Sequence, residues 1–158
     1  MKELELKTTI KVCQREELSA EEQHLVQLAI EATSRSYAPY SHFCVGAAVR
    51  LANGVELTGC NQENAAYPSG LCAERTALFS AGAQYPDVAV NTLAIAARGT
   101  DGELLEEPVA PCGSCRQVII ESETRAKHPI RILLYGRKRI FIIDGIRKLM
   151  PITFSEFQ

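Results

Sequence analysis

The stretch FCVGAAVRLANGVELTGC, residues 43–60, has the pattern of two strands joined by a tight turn. Residues 43–51 are apolar and rich in strand-favouring side chains, and residues 55–60 supply the returning strand. Between them, Asn53-Gly54 readily takes the positive φ angles that a two-residue hairpin loop requires. The sequence therefore predicts a β-hairpin over 43–60, and the other elements are arranged around it.

Helical and strand patterns alternate on both sides of this hairpin. Ser19 and Glu22 form a capping-box pattern, and apolar residues then recur at helical spacing, which predicts a helix over 19–35. The other predicted elements are helices over 72–81, 112–123 and 145–150 and strands over 93–97, 130–135 and 139–143. Strands that alternate with helices are typical of layered α/β proteins. We expect a three-layer α-β-α fold around a mixed five-stranded sheet.

The length of 158 residues suits a single domain, expected over 1–158, and no repeat or linker divides it. Residues 3–12 alternate loosely, which fits either a strand or a mobile arm, so 1–17 is interpreted as an N-terminal arm. The polar stretch 99–110 is interpreted as an acidic loop.

Composition limits the classes of partner. With a net charge of -2 and a pI near 5.9, the chain lacks the excess of basic residues that is typical of nucleic-acid binding. The basic run Arg137-Lys138-Arg139 is too short to supply it. A small-molecule substrate is expected, with no nucleic-acid partner. The sequence shows neither a signal-peptide pattern nor a membrane-length apolar run, so we expect a soluble cytoplasmic protein with no membrane partner.

Two local patterns carry the chemistry, Cys72-Ala73-Glu74 and Pro111-Cys112-Gly113-Ser114-Cys115, and each opens a predicted helix. Cys112 and Cys115 are three residues apart, so in a first helical turn their sulfurs share one face. The free N–H groups and the positive end of the helix dipole favour thiolates at such a position. Two such helix starts facing each other would present three thiolates to one zinc ion.

A C-x-x-C pair alone fits a structural zinc site, a redox pair or chance about equally well. A structural site would need a fourth ligand, and none of the remaining cysteines and histidines has a paired spacing: Cys13, Cys44, Cys60, His24, His42 and His128. Three protein ligands leave one coordination position open, which is typical of catalytic zinc. Glu74 lies two residues after a ligand and is the candidate for moving protons at that position.

Further motifs extend the pattern over most of the chain. They are Tyr40-Ser41-His42-Phe43-x-Val45-Gly46-Ala47-Ala48, Gly59-Cys60-Asn61-x-Glu63-Asn64-Ala65, Cys72-Ala73-Glu74-Arg75-Thr76-Ala77, Pro111-Cys112-Gly113-x-Cys115-Arg116-Gln117 and Leu149-Met150-Pro151-x-x-Phe154. Together they resemble the zinc-dependent cytidine deaminases of the small homotetrameric type. The resemblance implies hydrolytic deamination of cytidine and 2′-deoxycytidine to uridine and 2′-deoxyuridine in pyrimidine salvage. Zinc-bound hydroxide would attack C4 while Glu74 shuttles protons and ammonia leaves.

The same resemblance implies roles for the residues around the metal. Asn61 and Glu63 would bind the ribose, Ala65 would contact the base edge through its backbone, and Phe43 would pack on the nucleoside. Tyr67 and Phe154 would complete the pocket of a neighbouring subunit in a homotetramer with shared active sites. Arg75 would offset the negative charge of three thiolates, so that zinc remains an effective Lewis acid.

Simpler interpretations and rival functions stay open at this point. Phe43 and Phe154 also fit plain core aromatics, Asn61 a turn residue, Glu63 a solvated charge, and Arg75 and Arg116 surface charges. A deaminase of the blasticidin S type shares the cysteine motifs but not the Asn61-x-Glu63 pair. An enzyme editing RNA or single-stranded DNA would need a basic channel, and a zinc-stabilised binding module would carry out no chemistry.

Overall fold

The central strands are buried on both faces, and they form one sheet with two apolar faces. The structure, a computed structural model, describes residues 1–155. Its strands are β1 (Lys11–Cys13), β2 (Cys44–Leu51), β3 (Glu56–Cys60), β4 (Val90–Arg98), β5 (Arg131–Tyr135) and β6 (Ile140–Asp144), and its helices are α1 (Ala20–Ala32), α2 (Ala73–Gln84) and α3 (Gly113–Ala126). The sheet order is β1-β6-β5-β4-β2-β3, and all neighbours are antiparallel except β4 and β5.

The two faces of the sheet hold separate apolar clusters because successive strand side chains point to opposite faces. Ala48 of β2 and Ala94 of β4 pack with α1, whereas Ala47 of β2 and Ile95 of β4 pack with α2 and α3. The predicted three-layer α-β-α fold with a mixed sheet is thus confirmed.

Local signals placed most of the elements close to their predicted bounds. The hairpin forms between β2 and β3, and Gly54 has the expected positive φ of 85°. Ser19 caps α1, since its side chain accepts from the Glu22 amide and the Glu22 side chain accepts from the Ser19 amide. The predicted end of a helix near Gly82 is wrong, because α2 continues to Gln84 and an interior glycine only weakens a helix.

The expected count of five strands is also wrong. Lys11–Cys13 of the predicted N-terminal arm pairs with β6 and forms a sixth strand at the sheet edge. Side chains reinforce this pairing: Lys11 Nζ lies 2.9 Å from Asp144, which also binds Arg131 at 2.8 Å. Arg131 lies 2.5 Å from Glu22, so one cation joins β5 and β6 to α1.

Glycines let two helices approach the sheet closely. Gly46 of β2 lies under α1, where an added Cβ would be 2.1 Å from the Ala29 carbonyl oxygen. Gly59 of β3 lies under the first turns of α2, where a Cβ would be 2.5 Å from the Ala77 nitrogen. The absence of a side chain at Gly59 therefore sets how closely the start of α2 approaches β3.

The acidic loop 99–110 lies on the basic turn between β5 and β6. The Arg137 amide donates to the Leu105 carbonyl, and the Lys138 amide donates to the Glu106 carbonyl. Glu106 also accepts from Lys138 Nζ at 2.6 Å, and Glu107 lies 3.1 Å from Arg139 Nε. The acidic loop and the basic turn thus neutralise each other, and the loop ends just before the Pro111-Cys112 segment.

Among residues 1–155, no helix combines the length and the apolar character that crossing a membrane requires.

Candidate active site

Three cysteine sulfurs meet between the starts of two helices. Cys72 is the N-cap of α2 and Cys112 the N-cap of α3, and neither side chain caps its own helix through a hydrogen bond. Cys115 lies in the first turn of α3 and is buried. All three sulfurs lie within 4.8 Å of one another, with 3.8 Å between those of Cys72 and Cys112. The structure thus brings together the three cysteines that the motifs singled out.

The chemistry of this donor set fits zinc. Three thiolates in a compact group suit tetrahedral zinc and leave one position for water or substrate. Within the described part of the chain, no histidine or further acidic residue joins this group, and the Glu74 carboxylate is outside it. The spare candidates for a fourth ligand are therefore elsewhere, as an open catalytic site requires.

The sulfurs affect one another's protonation strongly. A hydrogen bond from Cys115, together with the Arg75 guanidinium, lowers the pKa of Cys72 to about 5. The same contact and burial raise the pKa of Cys115 above its ordinary value. Zinc binds cysteine as thiolate, so metal binding at these sulfurs releases protons.

Arg75 places a cation beside the sulfur of Cys72. It lies in the first turn of α2, and its Nη2 is 3.8 Å from the Cys72 sulfur and 3.3 Å from the Gly70 carbonyl oxygen. Its Nε is buried and has no hydrogen-bond partner among residues 1–155. Arg75 therefore has a further donor available beside the sulfur cluster.

Glu74 is a carboxyl group buried beside the sulfurs. Only 4% of the residue is exposed, which is rare for glutamate, and the residue follows the N-cap Cys72 by two positions. Burial raises the pKa of Glu74, and the Cys72 thiolate adds to this effect, while a backbone N–H and the Cys115 thiol oppose it. The carboxyl group is thus in contact with the metal-binding cysteines without being one of the ligands.

A small hydrogen-bonded ladder joins the 61–63 loop to the first ligand. Gln62 exchanges backbone hydrogen bonds with Leu71, the residue before Cys72, at 2.8 and 2.9 Å. On the other side, the Tyr37 amide donates to the Asn61 carbonyl, and the Glu63 amide donates to the Tyr37 carbonyl. Asn61 and Glu63, the two predicted ribose-binding residues, are therefore linked to the first cysteine of the cluster through the Gln62–Leu71 pair.

The Glu63 carboxylate is held by the loop that precedes β2. One oxygen accepts from the amides of Tyr40 and Ser41 at 2.8 and 3.3 Å, and the other accepts from the Ser41 hydroxyl. The Ser41 hydroxyl is the first cause of a lowered pKa of Glu63. A carboxylate has about four acceptor sites, so these three donors leave room for about one more, such as a sugar hydroxyl.

The Asn61 side chain orients the start of β2. Its amide nitrogen donates to the Phe43 carbonyl at 2.8 Å, and its oxygen accepts from the Val45 amide at 2.8 Å. One further N–H and one lone pair of the amide stay available for a ligand. Phe43 is partly buried, and Asn61 has the structural role at the start of β2 that the turn interpretation describes.

The other predicted pocket residues lie on the surface. Ala65 is exposed in the loop before the short 3-10 turn Tyr67–Ser69, and Tyr67 itself is 92% exposed. Phe154 is 61% exposed, and its carbonyl accepts from the Gln117 side chain at 2.7 Å. Both aromatic residues are therefore mostly exposed within this one chain.

Sequence reasoning missed two residues around the site. Ser41 belongs to a motif, but only the fold brings it to Glu63, 22 positions later. From the sequence alone Arg116 also fits a surface charge, yet its guanidinium donates to the carbonyls of Pro111 and Leu149. Its place directly after Cys115 was the available signal.

Comparisons with known proteins agree with this site. A family model described as the cytidine and deoxycytidylate deaminase zinc-binding region matches residues 19–128. A curated cytidine deaminase from Sporosarcina psychrophila is 43% identical over 132 residues, which cover 84% of this chain and 90% of that protein. One from Halalkalibacterium halodurans is 44% identical over 99 residues, covering 63% and 70%.

Solved structures resemble the fold as a whole. The crystal structure of a cytidine deaminase from Burkholderia pseudomallei superposes with a TM-score of 0.71 at 36% identity, covering 83% of this chain and 97% of that one. The cytidine deaminase of Mycobacterium tuberculosis gives a TM-score of 0.66 at 29% identity, covering 87% and 100%.

Proposed function

Because the chain belongs to the cytidine and deoxycytidylate deaminase family and is a zinc-dependent hydrolytic deaminase, we propose that it converts cytidine and 2′-deoxycytidine to uridine and 2′-deoxyuridine. Ammonia is the second product, and the reaction serves pyrimidine salvage. One observation carries the proposal: three cysteine sulfurs within 4.8 Å of one another lie beside a glutamate that is 4% exposed.

The cysteines and Glu74 divide the chemistry between them. Cys72, Cys112 and Cys115 would hold zinc, which would lower the pKa of a bound water from about 15.7 toward about 7. Glu74 takes a proton from the attacking water and delivers it to N3 of the cytosine ring, while the water oxygen forms a bond to C4. Glu74 then moves the remaining hydroxyl proton to the 4-amino group, so that the C4–N bond breaks and ammonia leaves. Its burial supports this role, because bulk water cannot compete for the proton.

The ladder that joins Gln62 to Leu71 supports a nucleoside as the substrate. Glu63 accepts a hydrogen bond from the ribose 3′-hydroxyl, and Asn61 uses its remaining polar atoms on the same sugar. Ala65 meets the base edge through its backbone, and Phe43 packs on the nucleoside. The three donors that already hold the Glu63 carboxylate favour a single sugar hydroxyl over a larger polar group.

The pocket is completed by another copy of the chain. The 92% exposure of Tyr67 supports this part of the proposal, since burying an exposed aromatic ring in an interface lowers the free energy of the assembly. A homotetramer with shared active sites is the expected assembly.

The charge pairing on the acidic loop argues against a polynucleotide substrate. The basic turn Arg137-Lys138-Arg139 faces Glu106 and Glu107, so it does not form the uncompensated basic surface that phosphate backbones require.

A substrate panel tests the proposal. Purified protein is incubated with cytidine, 2′-deoxycytidine, cytosine, blasticidin S and a cytosine-containing single-stranded oligonucleotide, while ammonia release and zinc content are followed. We expect turnover of the two nucleosides that changes little with salt, and little or none of the other three. Turnover of blasticidin S or of the oligonucleotide in preference to cytidine would contradict the proposal.

A further inference from the structure

Each helix that carries a metal ligand at its start also carries an arginine in its first turns, and the guanidinium donates to a backbone carbonyl just before the helix. Arg75 follows Cys72 by three positions and donates to the Gly70 carbonyl, and Arg116 follows Cys112 by four and donates to the Pro111 carbonyl at 2.9 Å. The two arginines differ in their second contact. Arg75 faces a sulfur, whereas Arg116 donates to the Leu149 carbonyl at 3.0 Å.

The bond to Pro111 acts on the peptide unit that leads into Cys112. The Pro111 carbonyl and the Cys112 nitrogen share one planar peptide group, so a donor on that oxygen restrains the direction in which the Cys112 side chain leaves the backbone. Cys112 has few other restraints, because it is exposed and its side chain makes no cap bond with α3. Pro111 itself is buried.

The bond to Leu149 fixes the guanidinium to a rigid part of the fold. Leu149 caps the short 3-10 turn Ile146–Lys148 by donating to the Ile146 carbonyl at 2.8 Å, and Ile146 is fully buried. Glu123, near the far end of α3, accepts from the Ile146 amide at 2.9 Å. The turn after β6 is therefore bound to α3 at both ends, and Arg116 transmits its position to Cys112.

We propose that Arg116 is a positioning residue for the metal centre, which clamps the Pro111-Cys112 peptide to the Leu149 carbonyl and so holds the Cys112 thiolate in ligand geometry. A planar guanidinium can serve two carbonyls in fixed directions, which the single ammonium of lysine cannot reproduce. This inference rests on zinc binding by the three cysteines in the proposed function, and it is independent of the nucleoside and of Glu74.

The test compares Arg116→Gln with Arg125→Gln as a matched control. Arg125 lies in α3 as well, and its guanidinium also donates to a loop carbonyl, that of Pro86, but far from the cysteines. Zinc release to a chromophoric chelator is followed by stopped flow, and the thiolate-to-metal charge-transfer band is recorded after cobalt(II) substitution. Removing an outer partner of a metal ligand costs about 10–100-fold in metal affinity, so we expect release to be faster by at least about 10-fold in Arg116→Gln.

The cobalt band separates positioning from general stability. We expect it to weaken in Arg116→Gln, because one thiolate no longer holds its place, and to be unchanged in Arg125→Gln. If Arg116→Gln does not fold, Arg116→Lys is measured in the same way, and we expect faster zinc release and a weaker cobalt band than in Arg125→Gln. Zinc release within twofold of the control, with an unchanged cobalt band, would overturn the inference. A wild-type protein that holds no zinc would overturn the proposed function as well.

Discussion

Gly59→Ala should move the start of α2, and with it Cys72 and Glu74. An added Cβ would lie 2.5 Å from the Ala77 nitrogen and 2.6 Å from the Ala73 carbonyl oxygen, whereas ordinary contact begins at 3.4 Å. Both neighbours are backbone atoms, which cannot rotate away as a side chain can. The helix must therefore retreat from β3 by about 0.9 Å.

Two magnitudes follow from that displacement. Overpacking of a close contact costs about 1–3 kcal/mol of unfolding free energy. A misplacement of about 1 Å at a catalytic group can cost about 10²-fold in rate, and Glu74 lies in the first turn of the displaced helix. We expect kcat for cytidine to fall further than the loss of stability explains.

Urea unfolding and steady-state kinetics on the same preparations measure both effects. Gly82→Ala is the control, because it lies in the same helix and its Cβ would meet only the Arg125 side chain at 3.8 Å. In the control, stability should hold or rise slightly, since alanine favours a helix more than glycine does. Wild-type stability and turnover in Gly59→Ala would refute the argument that glycine at this position sets the depth of α2.

Three further outcomes are expected. Glu63→Gln should raise KM for cytidine by about tenfold or more with a smaller change in kcat, because a charge-assisted bond to the sugar is worth about 1.5–3 kcal/mol. Steady-state kinetics would show this, and an unchanged KM would mean that Glu63 does not bind the ribose. Although burial opposes it, the Ser19 amide and then Arg131 lower the pKa of Glu22, and Lys11 and then Arg131 lower the pKa of Asp144. The contribution of both carboxylates to stability is therefore present above their unfolded pKa values of 4.5 and 3.8 and is lost as the pH falls below them. Arg131→Gln should therefore flatten the acid-side decline of the urea midpoint, and an equally steep decline would count against this network. Gly136→Ala should detach the acidic loop, since its Cβ would lie 2.6 Å from a loop carbonyl, and calorimetry should show a loss of about 1–3 kcal/mol; an unchanged melting curve would show that the loop is not held there.

Elements that carry their own local signals were predictable from the sequence. The Asn53-Gly54 turn fixed the hairpin, and the helix starts at Ser19, Cys72 and Cys112 lie within one residue of their predicted positions. The cysteine motifs also predicted which three sulfurs lie together. In each case the signal lies within a few residues of the feature that it specifies.

Features that depend on distant partners were not predictable in this way. The alternation over 3–12 left a strand and a mobile arm open, and the strand that forms, Lys11–Cys13, has only three residues, where β6 offers a free edge and Asp144 a counter-charge. Arg116 and Ser41 likewise gain their contacts from segments more than twenty positions away. No local pattern encodes such contacts, so they required the three-dimensional structure.

The most direct test of the zinc and glutamate mechanism is the turnover of Glu74→Gln at matched zinc content. Glutamine keeps the shape of the side chain but cannot carry the proton, and general acid-base catalysis contributes about 10²–10⁴-fold. We predict that the variant retains zinc to the same extent as the unaltered protein and loses nearly all turnover of cytidine. A zinc-loaded Glu74→Gln protein with near-normal turnover would contradict the role assigned to Glu74.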